Sequence, residues 1–245
     1  MQKKFALTNE TRVINNHTLY RIKALKDFAD VKAGTLGGFI EKEDNLSHDG
    51  NCWVYDNACV VKSGRVYENA RVYGNAAIGG FVYGNAHLSD KVGVYQYARV
   101  YGNAKLSGNA RIHSKAVVYD HAVISGAAKI YGKVYGNAKL SGNARIHSKA
   151  VVYDHAVISG AAKIYGKVYG NASVGGYVKV YGSVYGNAKV TGYHTIRGLV
   201  HGNARLKRDG YSYVKQNFYY AYGIPEDCEI YENDTVVKII ENNAA

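Results

Sequence analysis

The chain has 245 residues and a formal net charge of +12, and it contains 24 Tyr and 28 Gly but one Pro, one Met and one Trp. Val, Ile, Tyr and Gly-Asn pairs dominate this composition, which is typical of strands and turns and argues against a mainly helical protein. Three cysteines, Cys52, Cys59 and Cys228, have no metal-ligand spacing. They argue against a metal site and fit a reducing cytoplasm.

Residues 1–47 are predicted to form an N-terminal cap. The opening residues lack the apolar run of a signal peptide, and no later segment is apolar enough to span a membrane. Residues 5–26 have the pattern of a hairpin that turns near Asn15 and Asn16. The glycine-punctuated residues 27–53 lead into the repeats.

Residues 48–209 carry a six-residue repeat that predicts an all-β, three-sided parallel solenoid. Aliphatic residues recur every six positions from Val54, and the first step of four runs from Ile78 to Val82. From one step of four to the next, each interval is a sum of one 16 and zero, one or two 18s. One turn of the solenoid therefore has three six-residue sides, 18 residues in all. Some turns are two residues shorter, and the shortening always falls on the same side. Residues 100–133 and 134–167 are identical over all 34 positions, which is two whole coils.

Each hexad reads Ala-x-Val-Tyr-Gly-Asn, and this order predicts which residues are buried. Alternation with period two turns Ala and Val inward and turns x and Tyr outward. Gly-Asn turns the corner, because positive φ is cheap for Gly and tolerated by Asn. The stacked corner amides are also able to form a hydrogen-bond ladder. The corner asparagines are Asn69, Asn85, Asn103, Asn137, Asn171, Asn187 and Asn203.

Aligned coils define three sides. Side one is the stack of inward valines that begins at Val66 and ends at Val200, side two begins at Val54 and side three begins at Val60. The rungs rise by about 4.8 Å per coil, the spacing between paired strands. The complete side-one stack is Val66, Val82, Val100, Val118, Val134, Val152, Val168, Val184 and Val200.

Residues 210–245 break the hexad and are predicted to form a C-terminal cap or a dimerisation segment, since an uncapped solenoid end is an edge that another copy can pair with. A dimer or trimer is therefore expected. Residues 66–209 hold 19 Lys and Arg against 5 Asp and Glu, whereas residues 210–245 hold 2 against 6. A basic body of this kind favours an acidic protein or nucleoprotein surface, or nucleic acid, as partner.

The segments VYGNA, LSGNARI and VYDHAVISG resemble the hexapeptide of the left-handed β-helix, or hexapeptide-repeat, superfamily, over roughly residues 46–209. Residues 30–58 are similar to the lead-in of bacterial and phage-associated proteins labelled transferases. The resemblance implies a single-stranded left-handed β-helix. It also implies acyl transfer, for which proteins of this fold commonly use a histidine base near a subunit boundary.

A ladder of tyrosines points outward from side one. Two interpretations stay open, a flat aromatic face for binding or assembly, and cross-rung stacking that stiffens the sheet. The ladder consists of Tyr67, Tyr83, Tyr101, Tyr119, Tyr135, Tyr153, Tyr169 and Tyr185, with His201 next.

Side three is predicted to present four basic rungs with two cations each and an aromatic or imidazole ring between them. Stacked like charges attract an anionic partner, such as an acidic protein or a single strand of nucleic acid. The alternative is a solvated face that protects against fibre growth. The predicted face is Arg111, His113, Lys115, Lys129, Tyr131, Lys133, Arg145, His147, Lys149, Lys163, Tyr165 and Lys167.

No catalytic, metal or cofactor site is predicted. His113 and His147 on side three, like His121 and His155 at a side-one corner, lie two coils apart, roughly 10 Å. One ion does not bridge that distance. The leading hypothesis is a non-catalytic binding or assembly protein encoded by a bacterium or phage. The alternatives are a basic antagonist of a nucleoprotein complex, such as a phage counter-defence protein, and an acyltransferase that acts at a subunit interface.

Overall fold

The computed structural model describes residues 3–208, 223–224, 228–230 and 237–238. The chain divides into two compact units, residues 1–131 and 132–245. Within the described residues, each unit consists of β-strands, with one short 3-10 helix in the first. In both units short parallel strands stack coil upon coil into a β-solenoid, which confirms the predicted fold class. No helix in this described part is long and apolar enough to cross a membrane.

The first unit opens with the predicted hairpin. Strands β1 (Phe5–Ile14) and β2 (His17–Ala24) pair antiparallel. The two turn residues, Asn15 and Asn16, have φ values of 47° and 63°, a conformation that asparagine tolerates better than most residues. Strand β2 also pairs antiparallel with β3 (Leu36–Ile40), which in turn pairs in parallel with the first coil. The hairpin is therefore joined to one sheet of the solenoid.

The remaining elements of the first unit form its coils. They are η1 (Glu43–Asn45), β4 (Trp53–Val54), β5 (Cys59–Val60), β6 (Arg65–Val66), β7 (Arg71–Val72), β8 (Ala77–Ile78), β9 (Phe81–Val82), β10 (His87–Leu88), β11 (Gly93–Val94), β12 (Arg99–Val100), β13 (Lys105–Leu106), β14 (Arg111–Ile112), β15 (Val117–Val118), β16 (Val123–Ile124) and β17 (Lys129–Ile130). Side one is β6-β9-β12-β15, side two is β4-β7-β10-β13-β16, and side three is β5-β8-β11-β14-β17.

The second unit repeats this arrangement. Its strands are β18 (Lys133–Val134), β19 (Lys139–Leu140), β20 (Arg145–Ile146), β21 (Val151–Val152), β22 (Val157–Ile158), β23 (Lys163–Ile164), β24 (Lys167–Val168), β25 (Ser173–Val174), β26 (Lys179–Val180), β27 (Ser183–Val184), β28 (Lys189–Gly192), β29 (Thr195–Ile196), β30 (Leu199–Val200), β31 (Arg205–Arg208), β32 (Gly223–Ile224), β33 (Cys228–Ile230) and β34 (Val237–Lys238). Side one is β18-β21-β24-β27-β30-β33-β34, side two is β19-β22-β25-β28-β31, and side three is β20-β23-β26-β29-β32. Most of the predicted C-terminal cap, residues 210–245, lies outside the described residues.

The core is the stack of inward Ala and aliphatic residues that the hexad predicts. Ala98 and Val100, for example, are both fully buried. Strand register gives the two coil lengths, since His87 pairs with Lys105 but Val157 pairs with Ser173. Because the narrow interior holds a small and a larger side chain from each side, every coil depends on its neighbours for burial.

The shortened coils all lose residues at the corner that joins side three to side one, as predicted. At these corners, as at Tyr181-Gly182, a two-residue connection replaces the longer one. A side chain at Gly182 would clash with the backbone carbonyls of Arg197 and Gly198 in the next coil. Glycine is therefore needed here because the stacked backbones come too close for a Cβ atom.

The longer corners are held together by side-chain ladders. Asn69 donates to Asn85 at 3.1 Å and Asn85 donates to Asn103 at 3.2 Å, which confirms the predicted amide ladder. A carboxylate sometimes replaces glycine at the corner. Asp90, with φ of 57°, accepts a hydrogen bond at 2.8 Å from the backbone N–H of Gly108 in the next coil.

A buried lysine closes the first coil beneath the hairpin. The Lys4 side chain is 1% exposed, and its Nζ donates to the carbonyl oxygens of Gly50 at 3.2 Å and of Cys52 at 2.9 Å. Burial lowers the pKa of this ammonium group. The arrangement satisfies carbonyl groups that would otherwise face an apolar cap without hydrogen bonds.

Candidate binding surfaces and the groove beneath the hairpin

Three cations lie in register on side three of the second unit. Arg145 pairs with Lys163, which pairs with Lys179 in the following coil. Adjacent rungs are about 4.8 Å apart. Among the residues that the structure describes, no carboxylate lies within 4.0 Å of any of these three side chains. We call them, with the rings of His147, Tyr165 and Tyr181 that come directly after their strands, the basic track.

The few carboxylates of the solenoid are used elsewhere. Glu68, Asp90 and Asp154 each accept a hydrogen bond from the backbone N–H of a glycine in the next coil, at distances of 2.9, 2.8 and 3.1 Å. These acidic side chains therefore serve the corners and do not neutralise the cations of the basic track.

The rings of the basic track stack on one another. The centroids of His147 and Tyr165 are 3.9 Å apart, and those of Tyr165 and Tyr181 are 4.5 Å apart. Burial, followed by the charges of Arg145 and Lys163, lowers the pKa of His147. The imidazole is therefore mostly neutral at pH 7, and it adds a flat ring to the stack without adding charge.

The first unit has a shorter version of this arrangement. Arg111 and Lys129 pair in register on side three. The rings of Tyr95, His113 and Tyr131 stack successively, with centroid distances of 4.9 and 5.0 Å. Burial is the main cause that lowers the pKa of His113, as it is for His147, and the charges of Arg111 and Lys129 lower it further.

The prediction of two cations on each side-three rung is wrong. Lys115 and Lys149 lie in corner turns, and Lys133 and Lys167 begin strands of side one, β18 and β24. In the second unit the cause is the short corner at Tyr165-Gly166, after which the next residue already belongs to side one. Each basic rung of side three therefore carries one strand cation.

The tyrosines of side one form the predicted stack in each unit. In the stack from Tyr67 to Tyr119, the centroids of successive rings are 4.7 to 5.0 Å apart. In the stack from Tyr135 to His201, they are 4.7 to 5.2 Å apart. Each inner ring is covered on both faces by its neighbours, so the rings present edges and hydroxyl groups to solvent. This geometry favours the stiffening role, because ring faces are not free for a ligand.

A groove of about 780 Å³ lies beneath the hairpin turn of the first unit. It is lined by Ile14, Asn15 and His17 of the hairpin and by Tyr95 and Gln96 of the coils. Its lining also contains the side chain of Cys59, which is 6% exposed. The hexad does not predict this cavity, because the coils form it only together with the hairpin residues Ile14, Asn15 and His17.

A histidine–carboxylate pair lies at this groove. His17, which lines it, is 2.8 Å from Glu41 through Nδ1 and Oε1. Burial alone would raise the pKa of Glu41, but hydrogen bonds from the Lys62 backbone N–H and from His17 outweigh burial and lower it. Sequence reasoning missed this pair. The two residues are brought together by the pairing of β2 with β3, and no motif spacing signals it.

Comparison with known proteins gives a partial likeness. No family model matches the chain. The uncharacterized acetyltransferase YdcK of Escherichia coli strain K12 is 32% identical over 98 residues, which cover 37% of this chain and 29% of that protein. The match thus spans less than a third of its relative. Together with the six-residue repeat and the stacked parallel coils, this likeness fits the hexapeptide-repeat, transferase-like β-helix superfamily.

Proposed function

We propose that this chain is a non-catalytic binding protein that captures an acidic protein surface through the basic track. The observation that carries this proposal is the in-register stack of Arg145, Lys163 and Lys179 without a carboxylate neighbour among the described residues. Like charges on adjacent strands destabilise a sheet. Carboxylates of a partner would relieve that repulsion and form charge-assisted hydrogen bonds with the track.

The rings of the track favour an acidic protein over a single strand of nucleic acid. Proteins that bind single strands offer open aromatic faces on which bases stack. Here the faces of Tyr165 are covered by His147 and by Tyr181. What remains exposed is a row of cations and ring edges, which suits carboxylates better than bases.

Charge neutralisation tests the proposal. In the track variant, Arg145, Lys163 and Lys179 are each replaced by Gln. In the control variant, Lys139, Lys167 and Lys189, which lie on sides one and two of the same unit, are replaced by Gln. Binding to poly-glutamate and to a single-stranded oligonucleotide is measured by fluorescence anisotropy at several salt concentrations.

The track variant is expected to bind poly-glutamate roughly tenfold or more weakly, whereas the control changes by about twofold or less, because stacked cations act together. Equal weakening of both variants would show general charge attraction and overturn the proposal. Tighter binding of the oligonucleotide than of poly-glutamate would instead favour a nucleic-acid partner.

Acetyl transfer is a second candidate function, which the description of YdcK favours. A general base for such a reaction needs an imidazole that a hydrogen bond orients, and His17 beside Glu41 meets this need. Consumption of acetyl-coenzyme A in the presence of amine and hydroxyl acceptors would be measured for the native protein and for His17→Gln. Turnover that the substitution abolishes would support transfer, and no turnover by the native protein would argue against it.

A further inference from the structure

We propose that the groove beneath the hairpin binds a mononucleotide, a planar heteroaromatic ring that carries an anionic group. The groove lies wholly within the first unit, and none of the residues that line it belongs to the basic track. The proposal therefore stands or falls independently of the acidic partner proposed for the second unit.

The ring stack of side three ends at this groove with an open face. Tyr95 stacks on His113, which stacks on Tyr131. Strand register places Gly79 opposite Tyr95 in the preceding coil, because Val94 pairs with Ile78. No second ring stacks on Tyr95 within the described residues, although Tyr95 lines the groove. A planar ligand ring would continue the stack in the place where Gly79 supplies no side chain.

The backbone does not require glycine at position 79. Gly79 is not among the residues with positive φ, and a Cβ atom there would lie 3.7 Å from the Val94 carbonyl oxygen and 3.8 Å from Val61 Cγ2. Both distances are ordinary van der Waals contacts. Gly93 differs, because a side chain there would collide with the ring of Tyr95. Glycine at position 93 thus lets the Tyr95 ring lie over its own strand, opposite Ala77, and position 79 has room for a side chain.

The remaining lining suits the other parts of a nucleotide. Lys62 lines the groove. Its backbone N–H donates to Glu41, but its side-chain ammonium forms no ion pair with any carboxylate of the described residues and is available to a phosphate group. Asn15, Ser63 and Gln96 bring amide and hydroxyl groups that are able to hydrogen-bond base edges or ribose. A volume of about 780 Å³ lies within the range of small-ligand sites.

The start of the side-one stack provides an internal comparison. Tyr67 borders a second cavity of about 600 Å³, which Glu43, Asp44 and Arg65 also line. Glu43 is paired with Lys3 and His48, and Asp44 offsets the charge of Arg65, so this cavity lacks the unopposed cation that an anionic ligand needs. We therefore expect a nucleotide to discriminate between the two cavities although each contains the end of a tyrosine stack.

Calorimetric titration of the full chain with AMP, GMP, CMP and UMP tests the proposal, with adenosine and ribose 5-phosphate as the ring-only and anion-only probes. At least one nucleotide is expected to bind. Tyr95→Leu should weaken binding by about 5- to 100-fold, the usual effect of losing a stacking ring. Lys62→Gln should weaken binding of the nucleotide but not that of adenosine.

Two further variants keep the test decisive. Gly79→Phe places a protein ring in the open position, where a Cβ atom fits, and should abolish nucleotide binding while circular dichroism and melting temperature stay native. Tyr67→Leu should leave binding unchanged. Failure of all four nucleotides to bind overturns the proposal. So does equal binding of ribose 5-phosphate and nucleotide, or equal loss in the Tyr67→Leu and Tyr95→Leu variants.

Discussion

Side three has the same backbone in both units, but the first three coils of the first unit and the basic track of the second unit present different surfaces. The inward residues Ile78 and Ile164 are both fully buried, and each belongs to a two-residue strand with parallel neighbours in the two adjoining coils. In β5, β8 and β11 of the first unit, the residues just before the buried aliphatic position are Cys59, Ala77 and Gly93. On the basic track they are Arg145, Lys163 and Lys179. The comparison shows that burial fixes the coil, whereas outward positions are free to form either a covered groove or a charged track.

The largest effect is expected from breaking the coil register. Deletion of residues 134–167 removes two whole coils and should leave a folded protein, because residues 100–133 present the same sequence to the coil that begins at Val168. Deletion of residues 134–150 shifts all later residues by one position. This shift turns inward side chains outward and should abolish cooperative folding. Circular dichroism and urea denaturation distinguish the two, and equal tolerance of both deletions would contradict the register.

The next largest effect is a difference in stability between alanine substitutions at two glycines, Gly182 and Gly79. Gly182→Ala forces a Cβ atom against carbonyl oxygens of the next coil and should lower the free energy of unfolding by about 1–3 kcal/mol or more. Gly79→Ala meets only ordinary contacts at 3.7 and 3.8 Å. It should change stability by no more than about 0.5 kcal/mol. Chemical denaturation measures both, and a similar loss in the two variants would refute the difference in packing.

The coil was predictable from the sequence because burial repeats with the strand period. Ala and aliphatic residues two positions apart mark every side, and the steps of four mark every short corner. Counting hexads misassigned Lys133 and Lys167 beside these short corners, and Lys115 and Lys149 in the turns of longer corners. Lys167 comes two residues after Tyr165, so it was assigned to the same rung, but Val168 already begins the next side.

The groove was not predictable, because it depends on where the hairpin packs. Pairing of Tyr20 with Ile40 brings His17 to Glu41, residues that no repeat or motif relates. Gly79 likewise resembles the other corner glycines in sequence. Only the stacked register shows that it lies opposite residue Tyr95 and has room for a side chain.

A smaller effect should result from removing one charge of the basic track. Lys163 lies between Arg145 and Lys179 in register, so Lys163→Gln removes like-charge repulsion. Stability should rise by roughly 0.2–1 kcal/mol at low salt, and the gain should shrink at high salt as charges are screened. Urea denaturation at two salt concentrations measures it. A loss of stability at low salt would mean that the track is not a site of unrelieved repulsion, which would also weaken the proposed binding function.

The smallest effect concerns pH. Burial and the charges of Arg145 and Lys163 lower the pKa of His147 in the folded protein, so the unfolded chain binds more protons as the pH falls below the ordinary histidine pKa of about 6.5. The stabilisation from the neutral imidazole is therefore present above that pH and is lost as the pH falls through the folded pKa. His147→Tyr, which places at this position the residue found at Tyr165 in the next coil, removes the titrating group but keeps the stack. The variant should lose less stability than the native protein between pH 7 and pH 5 in urea denaturation. Both proteins share all other titrating groups, so an equal loss would show that protonation of His147 does not oppose folding.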